Sequence, residues 1–205
     1  MEAYSSLSHA LCSFVYLPCR RVVYGPRDAY HTTNLSRCDY DWLPHRELWP
    51  IPRVGQERVR TSGQGVALIK KFEGCELEAY QCSANVWTIG YGHTRGVKEG
   101  DEISADKAEY ILLEDLIEFE KYVDQLVTVS LNQDQFDALV AWTFNLGPTN
   151  LKKSTMLLRL NDGQYNEVPA EMARWNRSGG EVLEGLKRRR KAEGLLFQGL
   201  DWQDV

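Results

Sequence analysis

The chain changes its hydrophobic period twice, and this narrows the folds open to it. Val66, Leu68, Ile69 and Phe72 fall on one stripe of a short helix. Gly74 is placed to end that helix, because glycine takes the left-handed backbone of a helix terminus at little cost. Residues 79–97 then read AYQCSANVWTIGYGHTRGV. Aromatic and β-branched residues punctuated by Asn85, Gly90, Gly92 and Gly96 predict a small antiparallel sheet with tight turns. Helical spacing returns with Leu112, Leu116, Phe119, Val123 and Leu126, behind Ser104 as N-cap, and predicts one long helix. Asn132 and Gln135 resemble a capping box opening a second apolar helix through Phe136, Leu139, Val140 and Phe144, stopped by Gly147 and Pro148. Further helices are expected over 156–160, 168–175 and 186–197. One β island in a helical chain predicts an α+β fold, with a small sheet-bearing N-terminal lobe joined by a long helix to a helical C-terminal lobe.

The first 60 residues have a different character. They hold eight Arg and no Lys, with Pro at 18, 26, 44, 50 and 52, and no sustained apolar periodicity. Their six acidic residues leave a net +2, so the remaining residues carry −7 of the total −5. We therefore expect a poorly ordered N-terminal extension over 1–60 and a folded domain over 61–205, the part that carries the candidate chemistry below. The best apolar run, 7–17, is short and interrupted by Ser8, His9, Cys12 and Ser13, which predicts no membrane span. Glu2 is the only charge before Arg20, which does not suit a conventional signal peptide. A net charge of −5 argues against a nucleic-acid partner, since phosphate binding calls for a basic face. Cys12, Cys19, Cys38, Cys75 and Cys82 form no CxxC pair and have no metal-ligand spacing with the four histidines, so no metal is expected.

Glu73, Cys82 and Thr88 carry the candidate chemistry. Eight residues separate the first two and five the second pair, which sets a carboxyl at a helix end facing two polar groups on a sheet, as in a cleft. Glycosidic cleavage needs an acid for the leaving oxygen and an activated water or a nucleophile on the opposite face of the sugar. Burial beside Phe72 and the like charges of Glu76 and Glu78 would favour the protonated form of Glu73. Taken alone, an acidic residue after a helix equally fits a solvated surface group.

The run LIKKFEGCELEAYQCSANVWTIGYGHT resembles the catalytic segment of the phage-type lysozymes, or endolysins, of glycoside hydrolase family 24. QFDALVAWTFNLG, STMLLRLNDGQY, Arg174-Trp175 and GGEVLEGLKRRRKAEGLLF match later blocks in order, and the resemblance covers about residues 63 to 199. It implies a lysozyme-like fold and hydrolysis, without a cofactor, of the β-1,4 bond between N-acetylmuramic acid and N-acetylglucosamine in peptidoglycan. It also implies an inverting reaction with Glu73 as proton donor and Thr88 holding the water. Many members carry Asp where this chain has Cys82, and a thiol with a reference pKa near 8.5 is a poor substitute for a carboxylate. The chain resembles the subset with cysteine there, in which a disulfide between residues placed like Cys75 and Cys82 holds the enzyme inactive. Cys12, Cys19 or Cys38 would attack Cys75 and free Cys82 by exchange.

By the same resemblance His93, Thr94, Phe144 and Thr155 would line the glycan groove, although a lone histidine also fits a structural hydrogen-bonder. One of the three arginines 188–190 could pair with Glu73. The resemblance further implies a monomer, made in the host cytoplasm and acting on the periplasmic wall. A lytic transglycosylase and a silent peptidoglycan-binding module are the competing readings.

Overall fold

The computed structural model describes residues 59–82 and 85–205. The expected extension over 1–60, with Cys12, Cys19 and Cys38, lies outside these residues except for its last two positions.

Helix α1 spans Gly63–Glu73 and buries Gly65, Val66, Leu68 and Ile69. Ser62 caps its first turn, and Gly74 ends it at φ +71° with its N–H on the Lys70 carbonyl. Strand β1, Glu76–Gln81, pairs antiparallel with β2, Trp87–Gly90, setting Tyr80 opposite Thr88 and Gln81 opposite Trp87. The β structure starts three residues earlier than the sequence predicts and stops sooner. Beyond Gly90 the chain turns back through a bridge between Ile89 and His93, with Gly92 and Gly96 at positive φ, where another strand would need extended backbone. On the other edge of β1, Ala79 and Ile103 donate backbone hydrogen bonds across to Asp101 and Leu77. The small sheet is thus flanked on both sides.

Helix α2, Ala105–Leu126, is capped by Ser104 and buries Leu112, Leu116 and Val123. At 1.5 Å per residue its 22 residues reach about 33 Å, far enough to pack β2 near one end and helical partners farther along. Helix α3, Gln133–Leu146, opens on the capping box expected at Asn132 and Gln135. Every residue from Phe136 to Phe144 is buried, because α1, α2, α7 and α4 (Pro148–Lys153) all pack around it. Helix α5 (Thr155–Asn161), a 3-10 turn at Tyr165–Glu167, and α6 (Val168–Ala173) follow. A hairpin of β3 (Arg177–Ser178) and β4 (Glu181–Val182) leads into α7, Glu184–Phe197. The α+β architecture and the joining helix agree with the sequence reading. Helix α4 and the β3/β4 hairpin are additions, each too short to leave a periodicity.

Two buried acids fix where α1 begins. Glu120 of α2 accepts hydrogen bonds from Arg60 Nη1, Thr61 N and Thr61 Oγ1, each at 2.9 Å. Asp137 of α3 accepts from Ser62 N at 3.0 Å, from Ser62 Oγ, and from Gln133 Nε2 at 2.8 Å. Gly65 allows this docking, since a Cβ there would stand 2.7 Å from Thr61 Cγ2 and 2.9 Å from Asp137 Cβ. Replacing Asp137, which is fully buried, strands the Ser62 donors and opens a void. We expect Asp137→Ala to lower unfolding stability by about 2–4 kcal/mol, read from the urea midpoint at unchanged m-value. A loss under about 0.5 kcal/mol, the scale of an ordinary surface change, would mean that α1 is held by its apolar face alone.

Candidate active site

Glu73 is the last residue of α1, and the chain leaves it through Gly74 directly toward β1. Its carboxyl is 13% exposed, and its Oε1 accepts a hydrogen bond from Arg189 Nη1 at 2.5 Å. Arg189, 1% exposed on α7, also donates through Nε to Glu193 at 3.1 Å and through Nη2 to the Ala141 carbonyl of α3 at 3.4 Å. Glu193 Oε1 accepts a second bond from Arg190 Nη2 at 2.8 Å, and the same nitrogen reaches Asn145 Oδ1 at 2.8 Å. The Arg189 guanidinium lies 5.9 Å from the centre of the Phe72 ring.

This is a buried chain of alternating charge, Glu73, Arg189, Glu193, Arg190. Burial acts to lower the Arg189 guanidinium, but the carboxylates of Glu73 and Glu193 outweigh it and raise the group. Burial pushes Glu193 up against the pull of Arg190 and Arg189. The surroundings of Glu73 differ from expectation. Glu76 and Glu78 stand exposed on β1, while the charged side chain in contact with Glu73 is a cation. Of the three arginines flagged by sequence, the structure selects Arg189. Sequence reasoning missed Glu193, although its spacing of four and three residues after Arg189 and Arg190 on one helix is that of ion-paired neighbours.

Cys82 and Thr88 sit on the β1/β2 hairpin, 5% and 1% exposed. The tight turn between the strands is closed by Cys82 N on Val86 O at 3.0 Å and Asn85 N on Cys82 O at 2.8 Å. Asn85 there takes φ +57°, a conformation asparagine tolerates. Thr88 Oγ1 donates to Val86 O at 3.0 Å. That bond uses the hydroxyl's single proton and leaves its oxygen able to accept.

Cys75 is an exposed thiol, so the bridge to Cys82 is not formed in this structure. The two cysteines stand at opposite ends of β1. Seven residue steps at about 3.3 Å put them roughly 20 Å apart, against the less than 7 Å between Cα atoms that a disulfide requires. The bridge and the strand exclude each other. Cys75 instead lies beside Tyr91, whose phenol is raised first by burial and then by the thiol, with Lys70 opposing.

His93 bonds through Nδ1 to Asp115 Oδ2 at 2.7 Å and through Nε2 to the Arg95 carbonyl at 3.0 Å. Nδ1 thereby ties the turn after β2 to α2, and Nε2 meets a carbonyl within the same turn, as the alternative of a structural hydrogen-bonder requires. Phe144 is 8% exposed and packs edge-on against Phe119 with centroids 5.0 Å apart. Thr94 is half-buried beside His93, and Thr155 is exposed at the start of α5. Among the described residues no group of three or more His, Cys, Asp or Glu could hold a metal, and no helix is long and apolar enough to cross a membrane.

Comparisons with known proteins converge on one family. The phage lysozyme family model matches residues 70–193. The endolysin of Acyrthosiphon pisum secondary endosymbiont phage 1 is 41% identical over 141 residues, covering 67% of this chain and 97% of that one. The endolysin of Bacillus phage B103 is 44% identical over 139 residues, covering 66% of this chain and 53% of that longer protein. Among solved structures, the muramidase domain of SpmX from Asticaccaulis excentricus is 40% identical with a TM-score of 0.66, covering 68% of this chain and 98% of that one. The helix-end glutamate, the hairpin beside it and the sequence blocks that carry both have one reading: this chain belongs to the phage lysozyme family.

Proposed function

We propose that the protein hydrolyses the β-1,4 bond between N-acetylmuramic acid and N-acetylglucosamine in peptidoglycan and so lyses the host, with Glu73 as the general acid. The observation that carries this reading is the grip on Glu73. Arg189 takes Oε1, and Arg189 is itself fixed by Glu193 and the Ala141 carbonyl, so the carboxyl is held in one orientation with Oε2 available to the leaving oxygen. Fixing an acid in this way is how a site gains rate from geometry. The proton passes from Glu73 to the glycosidic oxygen as the bond to the anomeric carbon breaks. A water on the opposite face completes the reaction and must give up a proton. Thr88 is suited to hold that water: with its own proton on Val86 O, its oxygen can only accept, which turns a water proton toward the hairpin and the water's lone pair toward the sugar. Cys82, which follows β1 on the same hairpin as Thr88, takes the released proton in this reading, and must then be the thiolate when the water attacks, since a neutral thiol has no site for a further proton. The chemistry belongs at the cell wall, after release from the cytoplasm where the chain is made. His93, Thr94, Phe144 and Thr155 are the candidates for the glycan groove.

Glu73→Gln should abolish the fall in turbidity of purified cell walls by at least about a thousandfold, with released fragments from the wild type carrying free reducing ends. Anhydro-sugar ends from the wild type would assign a lytic transglycosylase. Wild-type glycan binding without cleavage would leave a binding module.

Arg189→Lys keeps a positive charge but cannot bond Glu73, Glu193 and Ala141 together. We expect kcat to fall on the order of 100-fold with KM little changed, the pattern of a displaced catalytic group. Equal losses in both would show that the arginine contributes to binding instead.

The exclusion between β1 and the disulfide gives a redox prediction. Protein oxidised to the Cys75 to Cys82 bridge should lose activity together with the β1/β2 cross-strand amide protection, and both should return with reductant. Cys75→Ser should be active and insensitive to oxidant. Full activity in the bridged protein would show that the hairpin is dispensable.

A further inference from the structure

Behind Glu73 the charges are closed off from solvent. Arg189 and Arg190 are each 1% exposed and Glu193 is fully buried, so salt in solution screens them little. With Glu73 ionised, two carboxylates face two guanidinium groups. A general acid must hold a proton before it acts, and once Glu73 does, one carboxylate is left against two cations. That carboxylate is Glu193. Its Oε1 accepts from Arg189 Nε at 3.1 Å and from Arg190 Nη2 at 2.8 Å, while Oε2 is buried without a hydrogen-bond partner. This geometry suits the ionised form. A carboxylic acid would set its proton either on Oε1, against two N–H donors, or on Oε2, which has no acceptor within reach.

Burial pushes Glu193 up, Arg190 and Arg189 pull it down, and the charge on Glu73 pushes it up again. A Coulomb interaction is the same from either end, so the charge on Glu193 acts on Glu73 in turn. The other groups packed around this cluster are neutral or paired elsewhere. Helix α3 brings Asn145, the Ala141 carbonyl and Trp142, whose ring centre lies 6.0 Å from the Arg190 guanidinium. On α1, Lys70 is bonded to Glu109 and Lys71 to the Gln203 carbonyl. Helix α6 packs Pro169 against Gly194, and its acid Glu171 pairs with Arg174 at 3.3 Å. Lys187 of α7 pairs with Glu184 at 2.8 Å.

We propose that Glu193 is a positioning residue that lets Arg189 grip Glu73 without forcing Glu73 to be ionised, because it supplies the one carboxylate among the described residues that stays on the arginine when Glu73 holds its proton. Arg190, bonded to the same oxygen, keeps that carboxylate charged. This reading rests on Glu73 being the general acid. It gives Glu193 a task that its hydrogen bonds alone do not. A neutral amide of the same shape would still accept from both arginines, but it would leave Glu73 as the sole counter-charge to two buried cations, and the cluster would then favour the ionised, inactive form of Glu73.

The test is the pH profile of cell-wall hydrolysis by the full chain, together with carboxyl-carbon NMR titrations of the same proteins without substrate. Glu193→Gln should move the high-pH limb of the rate, where the acid loses its proton, to lower pH by on the order of one unit, and the Glu73 carboxyl signal should move with it. Arg190→Gln/Glu193→Gln, which removes a cation and a carboxylate together, should bring both back toward their wild-type positions. Glu193→Asp keeps the charge on a shorter side chain, so its maximal rate should fall while the limb stays in place. A limb that does not move in Glu193→Gln while the rate falls would show that Glu193 only props the arginine, and a shift that persists in the double variant would assign it to lost packing. Should Glu193→Gln not fold, the wild-type spectra decide: Glu193 is expected to be ionised throughout the range in which Glu73 titrates, and a protonated Glu193 there overturns the assignment. The NMR arm needs no turnover, so a wild type that fails to cut walls would refute the hydrolase reading while the carboxyl signals decide the charge coupling separately.

Discussion

The molecule is organised around a charge network of which three members, Arg189, Arg190 and Glu193, are buried and the fourth, Glu73, is largely so. Arg189 and Glu193 are essentially unexposed, and between them they join the end of α1, the middle of α3 and two turns of α7. Hydrophobic residues of the same volume would pack as well or better, because desolvating four ionised groups costs several kcal/mol each before their attraction returns it. The network is thus poorly explained as a stabilising device. It is well explained as a positioning device: a carboxyl on the last residue of a helix has free rotamers and a fraying backbone, and only a rigid partner behind it can give it one orientation. Arg189 supplies that partner because its planar fork is itself bonded on three sides. The same argument explains why the bond comes from α7, the last helix, which is packed by α3 and α6 and has no free end near the site.

The far end of α1 is fixed by a different means with the same outcome. There Glu120 and Asp137 receive the backbone and side chains of residues 60–62, and Gly65 lets the first turn sit against α3. An eleven-residue helix is marginal by itself, so its position must be set by what it docks against. Holding it at both ends transmits the geometry of the helical lobe to Glu73. The β hairpin is anchored more lightly: two short strands, backbone bonds from β1 to Asp101 and Ile103, the His93–Asp115 pair and packing of β2 on α2 hold it, with no buried acid among the described residues at its tip. The three proposed catalytic residues are thus split between a rigid element, which carries Glu73, and a more deformable one, which carries Cys82 and Thr88. A disulfide that demands the removal of β1 would act on the deformable member and leave the helical lobe intact.

How much of this was legible in the sequence follows from the range of each signal. The long helix at 105–126, the capping box at Asn132 and the glycine stop at Gly74 are local patterns, and each lies where the periodicity puts it. Glu73 was legible as a helix-end carboxyl, and the family blocks supplied its meaning. What the sequence did not yield is set by contacts distant in the chain. Glu73 and Arg189 are 116 residues apart, so the sequence could offer three arginines but not the one whose angle on α7 faces the site. The nearby acids Glu76 and Glu78 misled because closeness in sequence is not closeness in space once a strand alternates its side chains. Phe144 and His93 were placed at the groove by resemblance alone, and the local pattern could not show their partners: Phe119 for one and Asp115 for the other, both on α2 and more than twenty residues away in the chain.

Helix α7 shows how one sequence run can carry two unrelated constraints. Its five consecutive cations, 187–191, sit in a domain of net negative charge, where repulsion among themselves would destabilise an isolated helix. The fold resolves the conflict by direction. Arg189 and Arg190 turn inward and share Glu193, Lys187 finds Glu184 one turn back, and Arg188 and Lys191 are left facing solvent. Helical geometry makes this partition unavoidable, since neighbours along a helix point about 100° apart and no single partner can serve them all. The inward arginine that holds Glu73 does not itself require cations at 188 and 191. Neutral residues at 188 and 191 would have kept the helix, removed the repulsion and left Glu73 just as firmly held.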